Sequence, residues 1–407
     1  MDLELCTRCK GRGYCGKSCP ILSKFQLLGK PKTHFSGSSP PEVFVGRAGY
    51  PRVNTGILAP QDIGETESFS LPELWFENKL SIADILKLRS KLVYARFKSS
   101  IKSNNNSKLL DLMKEISMAD KKVDTEIILK KPPRELINPD THIPLIGNPA
   151  PLKYARLEEN PHINKKVDYL VSDKDVKSSI AIQELYKSKI ATSNIIKILS
   201  AGLLGLGLKR KLVPTRWAIT ATDDTICKSL LEKIRSYQEI SEILLFREYF
   251  LGNHYEFLVL PDKFSFEVIE AYMKGSVWNP LSDTSLAIDY ESFSGRKDYA
   301  GNVTGAYYTA RLAFCEFLEK IKRQASCLVM REERPEYYAP LGVGILREAA
   351  RSAFTKPPEK FSSIQEALTQ AKTRLKLPIE TFKNNSWLLK NYGKQTRLTK
   401  FSKPEYS

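Results

Sequence analysis

Histidine is scarce in this chain, four in 407 residues. His142, His162 and His254 each stand alone with no nucleophile beside them. Neither a Ser-His-Asp order nor a nucleophile elbow is recognisable, so these histidines read as surface or hydrogen-bonded residues. No run of about eighteen apolar residues exists, and the N-terminus carries no apolar signal region. A membrane span and secretion are therefore not expected, and the chain is placed in the cytoplasm. Glycines 202, 205 and 207 are followed by no Gly-Lys-Ser/Thr and preceded by no strand, which excludes a phosphate-binding P-loop. The lack of a helix-turn-helix pattern argues against base-specific reading. Acidic residues are also short: 46 Asp and Glu face 63 Lys and Arg, a net charge of +17. That excess favours a polyanionic partner such as DNA or RNA. A lysine-rich solubility surface is the alternative.

What is present is an ordinary globular composition, 42% apolar, long enough for two or three domains. Four of the seven cysteines are crowded into Cys6, Cys9, Cys15 and Cys19. The C-x2-C-x5-C-x3-C spacing with no neighbouring histidine suits a closed, tetrahedral, structural Zn2+ site. An iron-sulfur cluster stays open as the alternative, because Pro20 follows Cys19. Cys227, Cys315 and Cys327 lie in apolar company and read as buried thiols.

The expected fold is α+β, with mixed α/β possible: a small four-cysteine knuckle at 1–22, a large sheet-and-helix body at 23–285, a mainly helical region at 286–385 and a flexible tail at 386–407. Glu42 to Val45 suits a buried strand, and the glycines that follow suit a tight turn carrying Arg47 and Arg52. Ser81 with Asp84 is an N-cap signature opening a helix whose apolar side runs from Ile82 to Val93. Arg96 to Lys108 reads as an exposed basic turn, Leu109 to Lys122 as a helix and Val123 to Leu129 as a strand. Prolines 139, 144, 149 and 151 make the next stretch extended. Asp175 to Leu199 forms two helices broken near Thr192–Asn194, and Ile243–Leu260 a hairpin turning at Gly252-Asn253. A domain boundary is placed at Leu281–Ala287, followed by a polar loop from Asp289 to Asp298. A long helix then spans Asn302–Arg323, and a final helix Ser363–Leu375.

Candidate functional residues fall into three sets. Arg47 and Arg52, beside free backbone amides, and Lys209, Arg210 and Arg216, with Trp217 as a stacking surface, are candidate phosphate or DNA contacts. Asp223 and Asp224 are the best pair for a metal-dependent nuclease or nucleotide-processing enzyme if they end an apolar strand. If Thr222-Asp223-Asp224 opens a helix, they are only its cap. In the tail, Gln395, Leu398 and Phe401 are spaced three apart, which stacks the apolar pair on one side of a 3-10 turn. This resembles the sliding-clamp-binding motif, with Ser402 where the second aromatic would stand. A plain solvated tail is the alternative.

Taken together, the cysteine run, Phe44-Val-Gly-Arg-Ala-Gly-Tyr-Pro-Arg-Val-Asn54, Val213-Pro-Thr-Arg-Trp-Ala-Ile-Thr-Ala-Thr-Asp-Asp224, Gly275-Ser-Val-Trp-Asn279 and the terminal peptide resemble the archaeal Nre family of DNA repair proteins. The resemblance covers essentially the whole chain. It implies a C4-type zinc finger on the four N-terminal cysteines, a role in repair, and binding to the sliding clamp PCNA through Gln395, Leu398 and Phe401. It carries over no known catalytic activity. DNA binding with clamp recruitment is the leading expectation, and a clamp adaptor without DNA affinity is a further alternative.

Overall fold

The computed structural model describes residues 32–102, 107–134 and 140–394. The expected metal ligands Cys6, Cys9, Cys15 and Cys19 and the expected clamp peptide Gln395, Leu398 and Phe401 lie outside the described residues. In chain order the strands and helices are β1 (His34–Ser39), β2 (Glu42–Val45), β3 (Arg52–Ala59), α1 (Pro72–Glu77), α2 (Ile82–Ser90), β4 (Val93–Ser100), α3 (Lys108–Met118), β5 (Val123–Leu129) and β6 (Asn148–Leu157). Then come α4 (Lys165–Ser172), α5 (Ser178–Lys187), α6 (Thr192–Ser200), α7 (Thr215–Ile234), β7 (Ile243–Phe250), β8 (Asn253–Leu260), β9 (Ser265–Tyr272) and β10 (Ser285–Glu291). The last part holds α8 (Gly305–Ile321), β11 (Ser326–Glu333), α9 (Gly344–Ala353), β12 (Glu359–Phe361), α10 (Ile364–Lys372), α11 (Glu380–Lys383) and α12 (Trp387–Asn391).

The architecture is α+β, with two mixed six-stranded sheets ordered β1-β5-β6-β4-β3-β2 and β10-β9-β11-β8-β7-β12. Each sheet has one parallel pairing, β4 with β6 and β11 with β9. Alternation decides the faces of the first sheet. Val43, Val45, Val53, Ile57, Val93 and Ala95 all point into one large core that also takes in the inner sides of α3, α6, α7 and α8. The second sheet buries one face in that same core and the other in a satellite cluster under α10 and α12.

Local signals account for many boundaries. Ser81 and Asp84 close the expected capping box at the start of α2. The alternation of β5 is strict, with Val123, Thr125, Ile127 and Leu129 buried. The break between α5 and α6 falls at Ser188–Ala191, close to the expected place. The β7–β8 hairpin turns one residue earlier than Gly252-Asn253, on Leu251 and Gly252 with φ of 50° and 80°. Two positive φ values are the signature of the tight turn whose twist suits a hairpin.

Four expectations are corrected. The expected basic turn Arg96–Lys108 is as far as Ser100 instead part of β4, which also takes Val93 from the expected helix that ends at Ser90, because Tyr94-Ala-Arg-Phe-Lys-Ser alternates faces and pairs with β3. The region around Asp223 is neither strand end nor helix cap but the interior of α7, a 20-residue helix. Its Thr- and Ile-rich run favours a strand locally, yet Ala218, Ile219, Ile226, Cys227 and Leu231 recur at helical spacing and are buried. The expected polar loop at Asp289 begins in β10, which pairs with β9 across Leu281–Ala287, and β11 lies between β9 and β8. The region from 286 is mainly helical and also supplies β10, β11 and β12 to the second sheet. Finally, the segment from Ser386 is docked, not loose, as far as α12. Glu267 accepts from Ser386 Oγ at 2.5 Å and from the amides of Trp387 and Leu388 at 2.7 and 2.9 Å. Trp387 stacks on Tyr290 with ring centroids 4.5 Å apart. Among the described residues no helix is long and apolar enough to cross a membrane.

Candidate functional site: an arginine-lined cleft

The other face of the first sheet is apolar at one end, where Leu58 and Tyr94 are buried with Phe69 and Leu92, and polar beyond it. In register, Phe44 of β2 lies opposite Gly56 of β3, which lies opposite Arg96 of β4. Asn54 and Lys98 form the next row and Arg52 and Ser100 the one after. Arg52, Arg96 and Lys98 thus share one face. Gly56 lets β3 lie close against β4, since a Cβ there would sit 2.0 Å from the Ala95 carbonyl oxygen. The prolines of β6 fit because the backbone of Lys130 and Arg134 donates to the carbonyls of Pro151 and Pro149, at 2.8 and 3.2 Å. The ring nitrogens on that side need no acceptor.

The tight turn between β2 and β3 closes through Gly46 N to Asn54 O at 2.8 Å and Arg52 N to Gly49 O at 2.9 Å, with Gly49 at φ +79°. It leaves Arg47 exposed. Tyr50 of the turn packs on Trp217 at 5.4 Å between ring centroids, and Val45 N donates to Thr215 Oγ1 at 2.9 Å. Those two contacts bring the first turn of α7, and with it Arg216, against the free edge of β2.

The result is a cleft of about 330 Å³ whose lining includes Arg47, Arg96, Arg216 and Asp140. Its apolar wall is built from Phe44, Tyr94, Ile143, Leu145, Ile146 and Pro149. Arg216 Nη1 donates to Asp140 Oδ2 at 2.7 Å. Burial pushes the Asp140 carboxyl up, but the hydrogen bond from His142 and the Arg216 charge outweigh it and hold the group below its ordinary value. Asp140 is therefore a fixed anion that orients Arg216. Among the described residues Arg47 and Arg96 have no ion-pair partner, so two guanidinium groups stand at one cleft with their charge uncompensated. Arginine presents a planar donor fork matched to phosphate oxygens.

The structure brings together only some of the candidate residues. Arg47 and Arg216 line the cleft, while Arg52 lies on the same sheet face outside it. Lys209 is exposed elsewhere. Arg210 instead ties a loop, donating to the carbonyls of Gly205, Val171 and Asp173 at 2.8, 2.7 and 2.5 Å. Asp223 is fully buried and held in a two-pronged pair by Arg347, at 3.0 and 2.7 Å. Asp224 binds Arg311 and Lys228, each at 2.6 Å. Both carboxylates are thus occupied by cations of the fold. Among the described residues no group of three His, Cys, Asp or Glu side chains could hold a metal ion. Arg96 was missed because its segment read as a turn. The alternation Tyr94-Ala95-Arg96-Phe97-Lys98 was the available signal. The three histidines are all hydrogen-bonded: His142 to Tyr299 at 3.0 Å, His162 to Asp120 at 2.5 Å and His254 to Glu256 at 2.9 Å.

The chain matches the family described as Archaeal Nre, N-terminal, over residues 14–279, and Archaeal Nre, C-terminal, over residues 291–401. It is 34% identical over 397 residues to DNA repair protein NreB of Archaeoglobus fulgidus, covering 97% of this chain and 99% of the relative. It is 37% identical to DNA repair protein NreA of the same organism, covering 91% and 93%. To DNA repair protein NreA of Haloferax volcanii it is 36% identical, covering 78% and 77%. No solved structure matches. These matches take in both sheets and the cleft between β2 and α7, and the chain belongs to the archaeal Nre family.

Proposed function

We propose that this chain acts in DNA repair, binding DNA phosphates at the arginine-lined cleft and reaching DNA through the sliding clamp, which would take the terminal peptide Gln395, Leu398 and Phe401. The observation that carries the reading is the pair of guanidinium groups, Arg47 and Arg96, without an ion-pair partner among the described residues, beside the oriented Arg216 on a chain of net charge +17. The relatives' names as DNA repair proteins supply the biological setting. Cys6, Cys9, Cys15 and Cys19 supply a donor set that fits Zn2+. Four thiolates leave no position for water, so the ion would serve folding and not chemistry.

Binding of labelled single-stranded and duplex DNA, followed by anisotropy across salt concentrations, tests the cleft. Each lost phosphate contact flattens the log–log salt slope by roughly 0.7 to 0.9. The double variant Arg47→Ala/Arg96→Ala is expected to lower the slope by about twice that, and an unchanged slope would remove the cleft from DNA binding. For the tail, Phe401→Ala is expected to abolish co-purification with the clamp while the melting temperature stays fixed. Metal analysis of the purified chain distinguishes zinc from an iron-sulfur cluster.

A further inference from the structure

A second, smaller pocket of about 80 Å³ adjoins the cleft: both are lined by Ile143, and they flank alternate residues of β2, Val43 here and Val45 there. Its wall includes Lys197 and Ser193, one turn apart on α6, and Arg347 of α9. Among the described residues the Lys197 amine has no hydrogen-bond or ion-pair partner. Two carboxylates around it are committed elsewhere: Glu42 to Arg89 and Ser70, and Asp120 to His162. Glu73 receives the Ser193 amide on Oε1 at 3.4 Å, while its Oε2 is buried with no hydrogen-bond partner among the described residues. The other cationic and titratable groups of the wall are engaged too, Arg347 with Asp223 and His142 with Tyr299. The Ser193 hydroxyl is buried and has no hydrogen-bond partner among the described residues. An unpaired amine and an unpaired hydroxyl on one helix face thus border a cavity with room for a group of a few heavy atoms.

We propose that Lys197 is an amine nucleophile that condenses with a small aldehyde in this pocket. The lone pair of the neutral amine forms the new C–N bond as the carbonyl π electrons move to oxygen. That oxygen takes up the two amine protons and leaves as water, giving the imine, with no oxidant or reductant needed. The Ser193 hydroxyl is placed to hydrogen-bond the carbonyl oxygen. Burial moves the amine down to about 8, against the pull of Glu42, Glu73 and Asp120, so a usable fraction is neutral near pH 7. Desolvated lysines are activated in this way. In a protein that handles damaged DNA, the fitting aldehyde is the ring-opened sugar of an abasic site. That identification of the source rests on the DNA-binding reading above, whereas the amine chemistry does not.

The test incubates the full chain at pH 7 with cyanoborohydride and either glycolaldehyde or an oligonucleotide bearing one abasic site, then maps adducts by peptide mass spectrometry. With glycolaldehyde, Lys197 is expected to be modified on the order of 10²-fold faster than exposed lysines, the ratio of neutral fractions at about 8 and at the ordinary 10.5. In Lys197→Arg the fast adduct is expected to vanish while the melting temperature holds. Labelling at Lys197 no faster than at surface lysines overturns the proposal, whatever the DNA affinity. Trapping of the oligonucleotide through Lys197 assigns the abasic sugar. Fast glycolaldehyde labelling without oligonucleotide trapping keeps the nucleophile and assigns a free aldehyde instead. Arg47→Ala/Arg96→Ala is expected to keep the glycolaldehyde adduct, which separates a failure of the cleft from a failure of the amine.

Discussion

Replacing Arg347 by Met isolates the buried charge pair that holds α9 to α7. Asp223 is 0% exposed and takes both prongs of the guanidinium. Burial already pushes the Asp223 carboxyl up, and Arg347 is the largest influence opposing it. The nearby Arg351 does not replace Arg347, because its own fork is spent on Glu316 at 2.8 and 2.7 Å. Removing one partner of such a pair costs about 3–5 kcal/mol. With an unfolding entropy near 2.1 cal/mol/K per residue over 407 residues, that corresponds to a fall in melting temperature of roughly 4–6 °C. The pH dependence has a definite sign. Without Arg347 the folded Asp223 carboxyl rises further above its unfolded value, so the folded state binds the proton more tightly. That contribution is present at low pH and lost as pH rises through the folded value. The penalty, followed by circular dichroism melts, is therefore expected to be larger at pH 8 than at pH 5. Adding Asp223→Leu, which removes the stranded charge, should restore much of the loss. A variant that melts with the parent at every pH would refute the assignment of Asp223 to the fold, and would reopen it as a functional carboxylate.

Three further outcomes are expected. Glu267→Ala removes the acceptor for Ser386, Trp387 and Leu388, so it should cost at least about 2 kcal/mol and free α12. Red-shifted tryptophan emission and proteolysis near Lys390 would report the release, and a protease pattern unchanged from the parent would contradict the docking. Gly56→Ala, whose Cβ would meet the Ala95 carbonyl at 2.0 Å, should weaken the β3–β4 pairing by about 1–3 kcal/mol and lower DNA affinity with it. Wild-type stability in that variant would show that the strands yield. Cys227, Cys315 and Cys327 are buried free thiols, and burial pushes the Cys315 thiol well up. Alkylation mapped by mass spectrometry should therefore miss all three peptides in native protein and label them after denaturation.

Much of the local structure is legible in single stretches of the chain. The Ser81–Asp84 box, the alternation of β5, the buried thiols and the two helices around Ser188–Ala191 all depend on neighbours a few residues away. Side-chain spacing and capping chemistry act over the same range. The candidate site is only half legible in that way. Arg47 and Arg216 stand out as arginines next to glycine or tryptophan, but what makes them a site is the contact of Val45 with Thr215 across 170 residues. Arg96 joins them because β4 pairs with β3. Local propensity also points the wrong way at Asp223, where a β-branched run folds as helix once its inward positions find α8 and α9.

The sequence by itself pointed to an α+β protein through the spacing within its segments, and its composition set ample apolar content, a strong positive charge and four crowded cysteines, because those properties need no distant partner. Tertiary structure decided which charges remain available. It neutralised Asp223 and Asp224 with arginines, spent Arg210 on carbonyls, and left Arg47, Arg96 and Lys197 without partners among the described residues. Pairing between distant side chains is set by the packing of strands and helices, and no local pattern carries it.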